Sequence, residues 1–159
     1  MENVELDSFD RRIIAIVRRN NLEPARAIGQ EVGLSESAVL RRLRRLRSAG
    51  VIIADISVID PARLAPSIII HVLVELNQSS LRIEQAFAQK LERRSEVIGA
   101  WNVTGRTDFL LTVTVPSIEA YQQFSDEVLA SDENIRGFET LVSLREIVRP
   151  DPLRAGLPI

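Results

Sequence analysis

Five arginines stand within seven residues, from Arg41 to Arg47, and no acidic residue lies among them. A guanidinium group presents a rigid fork of N–H donors, which matches phosphate oxygens and the major-groove edge of guanine. A solvated helix face is the alternative, but such faces usually mix charges so that residues four apart can form ion pairs. Like charges this close repel one another and destabilise the chain unless an anion compensates. The cluster therefore predicts contact with a polyanion, and double-stranded DNA fits it best.

The arginines lie on a predicted helix over residues 36–49, with Ser35 as its N-cap and Gly50 as its C-terminal stop. At about 100° per residue, three apolar side chains fall on one face of this helix. They are Val39, Leu43 and Leu46. The opposite face carries Ser37, Arg41, Arg44, Arg45 and Ser48. A helix with one apolar and one basic side can pack on its own domain and lie in the major groove.

Two further helices are predicted ahead of this one. Asp7 offers an acidic N-cap for the first helix, and Pro24 stands near the start of the second, which Gly33 ends. Three helices with a glycine in the turn before a basic third helix form a helix-turn-helix. Because the N-terminal part of such a helix usually meets base edges, the positions divide into two groups. We expect Ser35, Ser37 and Arg41 to contact bases and Arg42, Arg44 and Arg45 to contact phosphates.

The second half of the chain alternates between strand and helix. Residues 51–59 are predicted to form a strand, and a proline-rich segment over residues 61–66 is predicted to be a hinge. Beyond the hinge, the hydrophobic periodicity gives the order βαββαβ. The predicted strands cover residues 67–76, 97–104, 109–115 and 138–148, and the helices cover residues 80–94 and 117–130. This order is the ferredoxin-like plan, with both helices on one face of a four-stranded sheet. The fold class is therefore α+β, divided into residues 1–60, 61–66, 67–149 and a tail over residues 150–159.

The sheet face that the helices leave open carries too many apolar residues for a solvated surface. On the first strand of the sheet, Ile69, His71 and Leu73 alternate with the covered positions. Leu110 and Thr112 take the same side of the third strand. A second sheet would cover these side chains, so the pattern predicts a homodimer.

Both halves of the chain also carry motifs in a distinctive order and spacing. The first half has Leu6-Asp7, Asp10, Ile13-Ile14, the run from Val32 through Leu46 and Gly50-Val51-Ile52. The second half has Val103-Thr104-Gly105, Asp108-Phe109-Leu110-Leu111 and Thr140 in the last strand. From about residue 4 to residue 149, the chain resembles the Lrp/AsnC family of leucine-responsive, or feast/famine, regulators.

The resemblance implies a winged-helix-type head and a ferredoxin-like domain whose sheets pair in dimers, which often assemble into tetramers or octamers. It also implies an amino acid or related small molecule bound between dimers. By this match the effector-site candidates are Gly105, Arg106, Thr107, Asp108 and Thr140. Asp108 can accept from an α-amino group, and exposed loop N–H groups can hold a carboxylate. Many members have an aromatic residue at or next to the Thr107 position, so the identity and even the existence of a ligand stay open, and a plain turn between strands is the alternative.

Composition narrows the remaining functions. The chain has no cysteine and one histidine, which exclude thiolate and His-rich metal sites, and we expect no cofactor. His71 and Trp101 are expected to be packing or interface residues rather than a metal ligand and a pocket wall. No apolar run reaches the ~18 residues of a membrane span, and the acidic start is no signal peptide, so we expect a cytoplasmic protein.

Three functions remain to be compared. A transcriptional regulator that responds to an amino acid is the leading hypothesis, and an architectural DNA-binding protein without an effector is the second. The third is an enzyme acting on tetrapyrroles, because some proteins resembling this family have that activity. Such chemistry usually requires histidines, and one histidine disfavours it. We therefore expect no enzymatic activity. For the two DNA-binding hypotheses, the formal net charge of −2 is a weak argument against DNA binding.

Overall fold

The computed structural model describes residues 5–57, 59, 64–78 and 80–148. They divide into two compact units, one before Ile59 and one from Ile59 to Ile147. The first unit contains helices α1 (Ser8–Arg19), α2 (Ala25–Val32) and α3 (Glu36–Ser48). The second unit contains β1 (Ile68–Leu76), α4 (Leu81–Glu92), β2 (Val97–Asn102), β3 (Phe109–Val115), α5 (Ile118–Ser125) with a π-helical extension (Asp126–Ala130), and β4 (Ile135–Val142). Within the described ranges, no helix combines the length and apolar character needed to cross a membrane.

The two polar caps that the sequence predicts for α1 and α3 are confirmed. Asp7 and Asp10 form a reciprocal capping box, in which each carboxylate accepts a backbone N–H of the other residue. Ser35 caps α3 by accepting from the backbone N–H of Ala38 at 3.3 Å. These bonds satisfy N–H groups that a helix start leaves without an intrahelical partner.

The core of the head is built from the apolar stripes of all three helices. It contains Ile13, Ile16, Ile28, Val32, Val39 and Leu43. The predicted apolar face of α3 is confirmed, because Val39, Leu43 and Leu46 are all buried. With this side fixed on the domain, the arginine-bearing side of α3 is left at the surface.

The turn between α2 and α3 requires two glycines for different reasons. Gly33 ends α2 with φ at 81°, a left-handed conformation that glycine adopts without strain. Gly29 lies inside α2, and a Cβ atom there would stand 2.5 Å from the backbone oxygen of Leu34. The close approach of α2 to the turn therefore depends on the missing side chain of Gly29.

The second unit is an antiparallel four-stranded sheet in the order β2-β3-β1-β4. Alternate residues of β1 and β3 are buried beneath the helices, as the period of two along a strand requires. The core contains Ile70, Val72, Val74, Leu111 and Val113 from the sheet, and Phe87, Leu91, Tyr121, Phe124 and Val128 from the helical segments. The predicted ferredoxin-like βαββαβ architecture is confirmed.

The sheet face away from these helices is the open sheet face, which we define by Ile69, His71, Leu73, Trp101, Leu110, Thr112 and Leu141. The strand register places His71 between Thr112 and Leu141, and Leu73 beside Leu110. Trp101 lies next to Leu110 and is 52% exposed, and Leu141 is 44% exposed. The predicted apolar character of this face is confirmed.

Some predicted bounds are wrong. Residues 51–57 form no strand in the described chain, because no neighbouring segment pairs with their backbone, and Ile53 and Ile56 are exposed. The last strand is Ile135–Val142 rather than residues 138–148. Residues 61–63 of the predicted hinge and the predicted tail over residues 150–159 lie outside the described residues.

Candidate nucleic-acid interface and effector region

The exposed face of α3 carries Ser37, Arg41 and Arg44 on successive turns. All three side chains are exposed, and in the described part of the chain neither Arg41 nor Arg44 has an ion-pair or hydrogen-bond partner. Leu40 lies beside them and is 37% exposed. Leu40 is not among the residues predicted to contact DNA, although its position about 100° from the apolar face marks it as partly exposed. An apolar contact with a thymine methyl group is the chemistry open to it.

Arg42 points away from this face and toward α1. Its Nη1 donates to Asp7 Oδ2 at 2.7 Å and to Asp10 Oδ1 at 2.8 Å. Its guanidinium carbon also lies 5.4 Å from the ring centroid of Phe9, within cation–π range. The two carboxylates raise the pKa of Arg42, with the Asp10 hydrogen bond as the largest cause. The backbone hydrogen bond from Asp10, supported by Arg42, holds the pKa of Asp7 below its usual range.

Arg45 joins the same group, because its Nη2 donates to Asp10 Oδ2. We name Asp7, Asp10, Arg42 and Arg45 the acid–arginine cluster. The Asp10 side chain is 1% exposed, while those of Arg42 and Arg45 are 23% and 45% exposed. Two carboxylates and two guanidiniums cancel formally, so the cluster adds no net charge to the surface of α3.

Arg47 is also paired. Its Nε and Nη2 donate to the two carboxylate oxygens of Asp55 at 2.8 and 3.1 Å. The hydrogen bond with Asp55 raises the pKa of Arg47, and its counterpart lowers the pKa of Asp55. Three of the five clustered arginines therefore have carboxylate partners, supplied from outside the 41–47 segment. Part of the negative charge that the sequence predicts beside these arginines is therefore supplied by carboxylates of the same chain.

The candidate base-contacting residues differ in availability. The Ser35 hydroxyl serves as the α3 cap and lies 3.1 Å from the Ser37 hydroxyl, so its main bond is already made. Arg12, which is not among the predicted site residues, donates to the carbonyl oxygens of Glu31 and Val32 at the end of α2. It holds the C-terminus of α2 in front of the turn. No local pattern marks Arg12, since its acceptors lie 19 and 20 residues away.

The effector candidates of the β2–β3 loop are brought together, and Asp108 is firmly held. Gly105 has φ at 137°, in the region that favours glycine. The Asp108 carboxylate accepts from the backbone N–H of Leu76 at 2.7 Å, and the Asp108 N–H donates to the Val74 carbonyl at 2.9 Å. Arg106 is exposed and Thr107 is half-buried. The loop is thus anchored to the end of β1 with Arg106 at its surface.

Thr140 lies apart from this loop. It pairs with Val72, whose partner on the other side is Leu111, so two strand spacings and three residues separate Thr140 from Asp108, or ~14 Å. The Thr140 hydroxyl lies 2.6 Å from the Tyr121 hydroxyl. Burial raises the pKa of Tyr121, against a smaller lowering by the Thr140 hydrogen bond. A single chain therefore does not gather all five effector candidates around one small ligand.

Two other residues singled out in the sequence have ordinary contacts. His71 Nδ1 lies 3.1 Å from the Thr112 hydroxyl on the open sheet face. The Trp101 ring lies over Gly99, where a Cβ atom would stand 2.4 Å from a ring carbon.

A cavity of about 420 Å³ between α4 and β2 is lined by Leu91, Glu92, Gly99, Asn102 and Phe109 among others. None of the effector candidates lines it.

Fold and site together define a helix-turn-helix DNA-binding protein with a separate α+β domain. Residues 6–47 match the family model of the AsnC-type helix-turn-helix domain. Residues 69–153 match that of the Lrp/AsnC ligand binding domain. The chain belongs to the Lrp/AsnC family, as its motifs suggest, and it is a DNA-binding transcriptional regulator.

Known relatives agree with this assignment. An uncharacterised HTH-type transcriptional regulator of Sinorhizobium fredii is 34% identical over 144 residues, covering 91% of this chain and 85% of the relative. The leucine-responsive regulatory protein of Rhizobium meliloti is 29% identical, with 91% and 92% covered. An AsnC family regulator from Agrobacterium tumefaciens is similar in structure, with a TM-score of 0.81, 26% identity and 91% and 94% covered. The regulator NMB0573 of Neisseria meningitidis, solved in complex with L-Met, shares the fold with a TM-score of 0.81 at 24% identity, with 91% and 94% covered.

Proposed function

We propose that this regulator recognises specific DNA sequences through α3, and that its DNA binding or assembly responds to an amino acid or a related small molecule. It acts in the cytoplasm and carries no catalytic activity of its own. Residues 1–60 are the DNA-binding domain, and residues 67–149 are the effector and oligomerisation domain. The observation that carries the proposal is the exposed face of α3, on which Arg41 and Arg44 present guanidiniums without an acidic partner in the described chain.

The two arginines suit different targets. Ser37 and Arg41 stand in the first half of α3, the part that usually meets base edges. Arg41 can donate two hydrogen bonds to guanine O6 and N7, and the Ser37 hydroxyl can donate or accept. Arg44 lies one turn further along the helix, which suits a phosphate on the wall of the groove. Specific recognition is therefore assigned to Ser37 and Arg41, and backbone contact to Arg44.

A salt titration of DNA binding tests this proposal. In a dimer, Arg44 of each head neutralises one phosphate, so log Kd should change with log salt by a slope of at least about 1.8. Affinity should then fall at least about tenfold between about 50 and 200 mM salt. A slope near zero would show that α3 does not lie along a phosphate backbone.

A second copy of the chain is proposed to cover the open sheet face. Leu73, Leu110 and Leu141 lie together there with Trp101, and a solvated surface of this kind carries an unfavourable apolar area. Sheet-on-sheet packing buries such residues between two faces about 10 Å apart. The protein is therefore proposed to be a homo-oligomer built from dimers, with tetramers or octamers as further possibilities.

The effector is proposed to bind where the β2–β3 loop meets residues of another copy. The ligand-binding domain match supports an effector, and a regulator of the same fold has been solved with L-Met. Because Thr140 lies ~14 Å from Asp108 in one chain, a small ligand that touches both residue types needs two chains. Calorimetry against each of the twenty amino acids tests this, and Arg106→Ala should weaken any binding that occurs at the exposed loop.

An architectural DNA-binding role without an effector is the second candidate. It is favoured by one observation, namely that Asp108 and Thr140 already have hydrogen-bond partners within the chain. If no amino acid produces heat while the DNA salt dependence persists, this second function is the better description.

A further inference from the structure

We propose that Asp10 is a positioning residue for DNA recognition, which holds Arg42 and Arg45 against α1 and withdraws the Arg42 charge from DNA. The inference rests on the proposed function of α3. It leaves base contact to Arg41 and phosphate contact to Arg44, and it makes the acid–arginine cluster the group that fixes α3 on the head. Asp10 itself does not touch DNA.

The burial of Asp10 is the first support. Its side chain is 1% exposed, and burying a carboxylate without donors is strongly unfavourable. The carboxylate accepts from Arg42, from Arg45 and from the backbone N–H of Asp7. Removing one donor from such a group leaves a buried charge short of compensation. The two arginines are therefore required by Asp10 before any DNA is present.

The geometry of Arg42 is the second support. One nitrogen makes two hydrogen bonds of 2.8 Å or less to two different carboxylates, and the guanidinium lies over the Phe9 ring. A phosphate contact that drew the guanidinium away from α1 would break all three contacts and leave Asp10 buried with fewer donors. A phosphate contact at the surface replaces one charged partner by another, so the exchange brings no compensating gain. Arg42 therefore stays with α1 when DNA is bound.

The connectivity of the cluster is the third support. Its bonds join the first turn of α1 to the middle of α3, across 32 to 35 residues of sequence. They fix the rotation of α3 about its own axis, because Arg42 and Arg45 lie on the flank facing α1. Rotating α3 would move Ser37 and Arg41 away from the base edges. Asp10 thus supports recognition through the two arginines.

Matched variants of two α3 arginines test the inference. Arg44→Gln and Arg42→Gln each remove one charge from α3, and each is measured for duplex affinity across about 50 to 200 mM salt and for urea unfolding. Arg44→Gln should leave the unfolding midpoint unchanged and reduce the slope of log Kd against log salt by about 1.8 in a dimer, one phosphate per head. Arg42→Gln should lower the unfolding midpoint and leave this slope unchanged.

The outcomes distinguish an Arg42 that holds α3 against α1 from an Arg42 that contacts a phosphate. An equal loss of slope in both variants, with equal midpoints, overturns the inference because it shows that Arg42 contacts a phosphate. A wild-type protein with no salt dependence instead overturns the proposed function. If Arg42→Gln does not fold while Arg44→Gln does, Asp10→Asn decides. Releasing the two arginines should make the salt slope at least as steep as in the wild type and lower the preference for a specific duplex, whereas a flatter slope overturns the inference.

Discussion

The Gly29→Ala substitution tests whether the close approach of α2 to the turn before α3 requires a glycine. On helix propensity alone, alanine inside α2 should stabilise the head by about 1 kcal/mol. The structure predicts the opposite sign, because the new Cβ would lie 2.5 Å from the Leu34 backbone oxygen. That oxygen belongs to the main chain and cannot rotate away as a side chain would. The helix and the turn must therefore separate.

The expected cost follows from these two opposing terms. Added methyl groups in well-packed sites cost about 1–3 kcal/mol, and a clash with backbone falls in the upper part of this range. After subtracting the propensity gain of about 1 kcal/mol, the net destabilisation is about 1–2 kcal/mol. For a small domain this lowers Tm by several degrees. The Gly29 carbonyl also accepts from the N–H groups of Gly33 and Leu34, so the displacement weakens the turn itself.

Thermal unfolding followed by circular dichroism measures this effect, and duplex binding measures its consequence for α3. Gln30→Ala is the matched control, because Gln30 is the exposed neighbour of Gly29 on the same helix. The control should change Tm only slightly and leave DNA affinity intact. A Gly29→Ala protein more stable than the wild type would refute the reasoning, since propensity would then outweigh the contact.

Two further predictions concern pH and assembly. Asp7 and Asp55 both have pKa values lowered from the ordinary 3.8, so their stabilising contribution is present above that value and is lost as the pH falls through the lowered pKa. The unfolding midpoint, measured as a function of pH, should therefore decline below about pH 4, and the decline should be smaller in Asp7→Asn than in the wild type. Identical curves for the variant and the wild type would contradict the pairing of Asp7 with Arg42. Leu73→Asp on the open sheet face should shift the sedimenting species toward monomer, whereas Leu22→Asp, at an exposed leucine of the head, should not. Equal sedimentation of both variants with the wild type would show that a second sheet does not cover this face.

Local patterns located most of the helices and strands of this chain. The 3.6-residue spacing of apolar residues located α1 and α3, because a helix packs with one stripe on its core. The acidic cap at Asp7 and the serine cap at Ser35 marked their starts, since caps act within three residues. Alternation at period two located β1 and β3 and predicted which of their faces the helices cover.

Residue partners that are distant in sequence were not predictable in this way. Charge density alone suggested that Arg42 and Arg45 contact phosphates, whereas folding brings Asp10 to them from 32 and 35 residues away. Folding likewise brings the Asp108 carboxylate to the backbone N–H of Leu76, from which it is distant in sequence. The bounds of β4 and the missing strand at residues 51–57 depend on which segment offers backbone partners.

The order of residues therefore determines where most helices and strands lie, which of their faces are apolar, and that a basic helix lies at the surface. Those properties arise from interactions over a few residues, whose geometry is the same in every protein. Whether a given arginine meets a carboxylate of its own chain or remains available for a phosphate is decided by packing. Packing brings together groups from remote segments, and a buried carboxylate such as Asp10 acquires its partners only when the helices are assembled.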